Sequence, residues 1–295
     1  MLTLSRGDDS LVVAPEFGAA ILGWTRRGAH LLRHPSPGAV LRGVPGEMGC
    51  FPLLPYCNRV AFGRFVWRGQ THELAPNFGD HPHAIHGVGW RSPWKIENAS
   101  ADGVTLSLRH DPIGPAALAW PYAFSARLAY RLGVSGLDVT IEVTNLDLAP
   151  SPAGIGLHPY FRRDAETSIE FRATGVWTAR DSLPSVHSLI PPAWDHVGGR
   201  SADAEPLDHC FTGWNGTACL PRMRIEADKV FGCLHVFTPA GANFCCVEPV
   251  SHSPDAINRP DLPHTQAMTV LASGQTLRGS IRLSPDDAPR SVQNV

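Results

Sequence analysis

Long apolar runs are missing from this chain of 295 residues. Nothing approaches the roughly 20 consecutive apolar residues that a membrane-spanning helix requires. Charge of one sign is also scarce. A formal net charge of -2 leaves no electrostatic footprint for nucleic acid, a membrane surface or a polyanion. The expected partner is a small, neutral molecule. Seven cysteines (Cys50, Cys57, Cys210, Cys219, Cys233, Cys245, Cys246) contain no CxxC pair and form no even-numbered framework, so they read as reduced thiols of a cytosolic protein. Met1 to Ser10 lacks a basic stretch followed by an apolar core, so no secretory signal is expected. No segment sustains helical periodicity, and no internal period marks a solenoid or propeller.

What the chain does contain is turn residues and alternation. Its 28 glycines and 27 prolines favour many turns, while 43% hydrophobic and 18% charged residues are ordinary for a soluble globular protein. Period-two runs recur from end to end: Leu11 to Ala14, Ala19 to Trp24, Val104 to Leu108, Phe124 to Leu132 and Val139 to Thr144. Ser168 to Arg172, Val230 to Thr238, Asn243 to Val247, Met268 to Leu271 and Leu277 to Leu283 continue the pattern. Such spacing predicts an all-β chain folded as a large antiparallel β-sandwich. No linker divides it, so residues 1–295 are expected to form one domain. Pro184 to Glu205 reads as the longest loop, and the tail after Ser284 as frayed.

Two short stretches carry the clearest chemical signal. Gly154-Ile-Gly-Leu-His-Pro-Tyr-Phe161 and Cys245-Cys-Val-Glu-Pro-Val250 each place an ionisable residue directly before a proline. Proline disfavours helix at the preceding residue and cannot donate to a ladder, so His158 and Glu248 read as the last residues of strands at a rim. Alternation puts Gly156, His158 and Tyr160 on one face, with the glycine leaving room for something to approach. It likewise puts Phe244, Cys246 and Glu248 together, where apolar neighbours would raise the carboxyl pKa toward that of a general base. The alternatives are a structural histidine and a strand-end glutamate bridged to Arg259.

Other polar residues punctuate the apolar pattern. Three histidines crowd His81-Pro-His-Ala-Ile-His-Gly87, with His72 upstream, which opens a metal reading. No third ligand follows at a specific spacing, so no metal is expected. His86, beside the permissive Gly87, is read as a polar ligand contact, and His81 and His83 as loop or surface residues. Asn58-Arg59 offers a fork for oxygen acceptors or, equally, a structural ion pair. Asp208 could accept hydrogen bonds from hydroxyl groups or serve an ordinary turn. Among the tryptophans, a few faces could stack on a sugar while most would be core.

Taken in order, Asn58-Arg59, His86-Gly87, His158-Pro-Tyr-Phe161, Asp208-His209 and Glu248-Pro249 resemble the aldose 1-epimerase (galactose mutarotase-like) family. The likeness runs from the first strand pair to about Leu283. It implies a mutarotase-like β-sandwich with an open polar cleft, and interconversion of α and β anomers of a free sugar without cofactor or metal. By that likeness Glu248 matches the general base and His158 the general acid, placed on opposite sides of one sugar ring. Arg59, His86 and Asp208 match positions that hold sugar oxygens, with Asn58 adjoining. Ile85-His86-Gly87-Val88-Gly89 departs from the common His-Gly-Gly version, and Pro184–Glu205 lacks the frequent Pro-Thr-Gly pattern; both touch sugar preference rather than chemistry. Rival expectations are a hexose-6-phosphate 1-epimerase using Arg59, Arg64, Arg68, Arg91, Arg162 and Arg163, a non-catalytic carbohydrate-binding protein, and a metal-dependent isomerase. A cytoplasmic monomer or homodimer is expected.

Overall fold

The structure, a computed structural model, describes residues 1–286, and its regular structure is mostly antiparallel strand, gathered into two large sheets and three two-stranded ribbons. The first sheet runs in the order Leu2–Arg6, Asp9–Ala14, Ala20–Arg26, Cys50–Leu53, Gly156–Arg162, Phe244–Val250, Cys233–Phe237, Asp208–Thr212, Gly175–Arg180 and Leu183–Ser188. The second is built on Gly103–His110, Phe124–Leu132, Leu137–Asn145 and Thr276–Pro285, with Met223–Ala227 and Thr217–Leu220 beyond. One short α-helix, Pro37–Arg42, starts at a Ser36 cap that accepts from Ala39 N–H and ends at Gly43 in a left-handed conformation.

The two sheets are buried differently, and that difference locates the site. Leu137–Asn145 alternates strictly between buried and half-buried positions, as a strand with one solvated face must. Its Leu137, Val139, Ile141 and Val143 pack with Leu128, Tyr130 and Ile281 against Leu157, Phe161, Phe211, Val236 and Val247 of the first sheet. Each fully buried large apolar side chain contributes about 1.5–3 kcal/mol. Gly156–Arg162 and Phe244–Val250, by contrast, are buried along nearly their whole length. Their second face carries a separate cluster that includes Phe51, Trp90, Tyr160, Cys210, Cys233 and Cys246. This second face of the first sheet, rather than the inter-sheet core, holds the polar chemistry.

Several boundaries differ from the sequence reading. Pro184 to Glu205 is not one loop: it holds most of Leu183–Ser188, a 3-10 turn at Pro192–Trp194 and the short strand Arg200–Ser201. The last strand reaches Pro285, so the chain just after Ser284 is still paired, and residues 287–295 lie outside the described residues. Neither His158 nor Glu248 ends a strand. Both prolines lie inside central strands, because the ladder is opened where they sit. Gly156 pairs with Val250 and Tyr160 with Cys246, so His158 stands directly opposite Glu248, yet no pairing is made at 157–159. Tyr160 N–H donates to Gly49 and Ser251 N–H to Ile155, so odd-numbered positions of both strands face the shared edge. Pro159 and Pro249 thus remove two of the four donors that would have closed the ladder there.

Candidate active site

The gap in the ladder makes His158 and Glu248 a cross-strand pair whose own backbone groups point away from each other. That is the closer kind of antiparallel pair, with side chains brought together. His158 Nε2 lies 3.3 Å from Glu248 Oε1, and both side chains are buried. The same transverse row continues through paired strands: Phe51 opposes His158, His235 opposes Glu248, and Cys210 opposes His235. His158 is held between Phe51, at 4.7 Å between ring centroids, and Tyr160, stacked at 4.6 Å. Beyond Tyr160 lies Arg33, its guanidinium 3.6 Å from the ring centroid and fixed by the carbonyls of Gly46 and Met48. Gly156 leaves no vacant space for a ligand: a Cβ there would meet Cys57 Sγ at 2.8 Å and Val250 at 2.9 Å.

Burial displaces both members of the pair toward neutrality. It lowers the His158 pKa well below the usual imidazole range, assisted by the charges of His235 and Arg33. It raises Glu248 well above the usual carboxylate range, with the Asp208 charge adding and Arg59 opposing. The favoured form is therefore a neutral imidazole beside a carboxylic acid, a pair that shares one proton. Arg259, the alternative partner for Glu248, is elsewhere: it lies over Trp177 at 4.5 Å and donates to the Pro184 carbonyl.

Asn58 and His86 arrive on a two-stranded ribbon, Arg59–Val60 against Ala84–Ile85. Both adopt left-handed backbone conformations, with φ of 56° and 60°, strain that persists only where the surroundings over-determine it. The bracing is visible. Asn58 N–H donates to His86 Nδ1 at 3.2 Å, His86 N–H donates to the Asn58 carbonyl at 2.9 Å, and Asn77 clamps both backbone groups of Ile85. Gly87 cannot be replaced by a larger residue, since a Cβ would lie 2.3 Å from the Leu54 carbonyl. Because His86 Nδ1 accepts, its proton resides on Nε2. Burial, with the charges of His158 and Arg59, lowers its pKa well below normal. His86 is thus a neutral hydrogen-bond donor toward the cleft.

Opposite this ribbon, Asp208 Oδ2 accepts from Arg59 Nη2 at 3.2 Å and Oδ1 pairs with His235 Nε2 at 2.8 Å. Burial alone would raise the Asp208 pKa; the hydrogen bond and charge of His235, with the Arg59 guanidinium, outweigh it and hold the carboxyl well below its ordinary range. His235 is the site residue that local sequence did not reveal. The only signal is a histidine on the same face as Cys233 and Phe237 of a buried strand.

All six sequence candidates, Asn58, Arg59, His86, His158, Asp208 and Glu248, line one cleft of about 130 Å³, with Trp90, Phe78 and Phe237 adding aromatic walls. A larger hollow of about 530 Å³ lies on the second sheet, but there Arg109 pairs with Asp111 and Arg127 with Glu97 on an exposed surface. His72 bonds the Tyr122 hydroxyl, His83 accepts from Phe62 N–H, and His81 stays beside His83 with ring centroids 5.1 Å apart. His83 lies in the loop before Ala84–Ile85, as one of its two readings had it, but is 2% exposed and so not at the surface. Metal-type donors meet instead at His158, Cys246 and Glu248, within 4.8 Å of one another. Burial and the Glu248 charge push the Cys246 thiol well up, so it keeps its proton. All seven cysteines are free and buried, and among the described residues no helix is long and apolar enough to cross a membrane.

Comparison with known proteins agrees with this architecture. Residues 1–284 match the family described as aldose 1-epimerase. The uncharacterised Escherichia coli K12 protein YphB is 32% identical over 274 residues, 88% of this chain and 90% of its own length. A solved candidate aldose 1-epimerase from Escherichia coli K12 superposes with a TM-score of 0.85 at 30% identity, covering 96% of this chain and 98% of its own. A galactose mutarotase-like protein from Clostridium acetobutylicum shares the fold at a TM-score of 0.85 and 19% identity, covering 96% of this chain and 94% of its own. The chain belongs to the aldose 1-epimerase family.

Proposed function

We propose that this protein interconverts the α and β anomers of a free aldose by general acid–base ring opening and reclosure. The observation that carries the proposal is the buried His158–Glu248 pair, 3.3 Å apart on the floor of the cleft, where burial pushes both groups toward their neutral forms. Glu248, as carboxylate, takes the proton of the anomeric hydroxyl while protonated His158 gives one to the ring oxygen. The C1–O5 bond breaks and C1 becomes an aldehyde. Rotation about C1–C2 presents its other face, and reclosure returns each proton with the roles reversed.

The two groups stand side by side rather than across the ring, as the family likeness had implied. That arrangement suits the reaction, because both oxygens that exchange protons are bonded to C1. A base on Glu248 requires the shared proton to sit on His158, and sugar hydroxyls donating to the carboxylate favour that tautomer. His86 Nε2–H, Arg59 and Asp208 supply donors and an acceptor around the ring, each proton-transfer group contributing on the order of 10²–10⁴ in rate.

The geometry favours a free sugar over a phosphorylated one. Of the six arginines that could form a phosphate cluster, Arg59 alone lines the cleft. Arg64 pairs with Glu73 and Arg163 with Asp203, and Arg162 lines a separate hollow with Asp164 and Glu166. Polarimetry on fresh α-D-glucose or α-D-galactose, with spontaneous mutarotation subtracted, tests the activity. Acceleration with at least one free hexose is expected. Sugar binding with no acceleration across a panel of free and phosphorylated aldoses would convert the protein to a carbohydrate-binding one.

A further inference from the structure

The ribbon that delivers Asn58, Arg59 and His86 to the cleft has a second end, and that end also looks built for a ligand. There Phe62 is 71% exposed while its backbone is left-handed, with φ of 50°. A bulky residue in that region is an outlier that needs support. Support is plentiful. Phe62 N–H donates to His83 Nδ1 at 3.0 Å, and Ala61 N–H donates to Asp255 Oδ1 at 2.9 Å. Asn258 donates to the Arg64 carbonyl at 3.0 Å and to Asp255 Oδ1 at 2.7 Å. His83 packs against the phenyl ring, centroids 4.9 Å apart and nearly perpendicular. An aromatic face is being held out toward solvent by the buried His83 and Asp255.

That face borders a groove of about 350 Å³, whose far wall is the turn carrying Arg180, Asp181, Leu183, Pro184 and Ser185. Asp181 and the adjoining Ser182 are left-handed too, with φ of 53° and 66°. Arg259 braces this wall by donating to the Pro184 carbonyl. One segment, Asp255 to Arg259, therefore pins both sides of the groove, and it follows closely on the strand that carries Glu248. His81 stands between Phe78 of the cleft, at 6.4 Å, and His83 of the groove, at 5.1 Å. Phe62 is three positions from Arg59 across a 3-10 turn, so the two lie at most roughly 10 Å apart, the reach of three fully extended residues at about 3.3 Å each.

We propose that this groove is a second sugar subsite, holding the non-reducing hexose of a reducing disaccharide whose reducing end lies against His158 and Glu248. The phenyl ring offers a flat apolar platform for the C–H face of a pyranose. Arg180 and Asp181, adjacent and opposite in charge, offer donors and acceptors for hydroxyl groups with no net charge to attract a phosphate. What happens at the reducing end rests on the epimerase reading; occupancy of the groove does not.

The test compares a free hexose with disaccharides that carry the same hexose at the reducing end through different linkages. Calorimetric titration reads affinity without turnover, and anomer-exchange NMR reads kcat/KM. For at least one linkage the disaccharide is expected to exceed its hexose about tenfold in both, the scale of one aromatic contact. Phe62→Gly removes the platform and suits the left-handed backbone, so it should unfold at a higher temperature than the wild type while losing that advantage. Arg180→Ala should reduce it as well. Equal affinity for every disaccharide and its hexose, or an advantage that survives Phe62→Gly, overturns the subsite. Disaccharide binding without anomer exchange of any sugar would leave the subsite standing and sink the epimerase reading instead.

Discussion

His252 offers a prediction whose size follows from its surroundings. It lies four positions beyond Glu248 and joins that strand to the Asn58-Arg59 segment: its Nε2 accepts from Cys57 N–H at 3.0 Å, and its Nδ1–H donates to the Ser253 carbonyl at 2.8 Å. Both ring nitrogens are committed, one as acceptor, so a second proton would set N–H against N–H inside a buried pocket. Burial accordingly lowers the pKa from 6.5 to about 4, with the Ser253 bond opposing. The sign follows directly. In the unfolded chain the imidazole takes its proton near pH 6.5, and in the folded protein only near 4, so acid favours unfolding. The stability present above pH 6.5 is lost as pH falls through that window. A shift of this size, at 1.36 kcal/mol per unit, amounts to about 3 kcal/mol by pH 4. Denaturant unfolding of wild type and His252→Gln at pH 7 and pH 4 measures it. Glutamine can still accept from Cys57 N–H but does not titrate, so the gap between the two proteins should change by about 3 kcal/mol in favour of the variant. An unchanged gap would refute the reasoning.

Asp208→Asn should weaken the hold on Arg59 and His235; with charged hydrogen bonds worth about 1.5–3 kcal/mol, KM is expected to rise roughly 10- to 100-fold with a smaller change in kcat. Gly87→Ala forces a Cβ into the Leu54 carbonyl in a left-handed conformation, and should lower stability by about 1–3 kcal/mol or more in a thermal melt. The pH–rate profile should be a plateau, since the catalytic pair works only while it holds one proton. Its acid limb is expected below pH 6.5, because His158 is lowered, and its alkaline limb above 4.5, because Glu248 is raised. An acid limb at or above the ordinary histidine value would contradict the buried pair.

The all-β class was legible because period-two alternation survives wherever one face is wet, as in Phe124–Leu132 and Leu137–Asn145. It fades where strands are buried on both faces, so the central strands showed as apolar runs whose neighbours could not be assigned. Their prolines misled for a physical reason. Proline bars a ladder bond but not a strand, and here the missing bonds lie on the edge between His158 and Glu248. The six cleft residues stood out as polar interruptions in apolar sequence. His235 did not, since its role depends on a register that brings Asp208 within 2.8 Å. The burial of His83 within its loop was not legible, because nothing local announces Phe62 as its partner.

The central claim is that His158 and Glu248 exchange protons with the sugar. Anomer-exchange NMR on a sugar the wild type turns over, applied to Glu248→Gln and His158→Ala with binding measured alongside, addresses it most directly. Glutamine can still donate to His158 Nε2, so the pair's packing survives while its proton chemistry does not. Each variant should retain sugar binding and lose about 10²–10⁴ in exchange rate, a rise of roughly 3–5 kcal/mol in the barrier. Exchange near the wild-type rate in both would show that the protons move elsewhere.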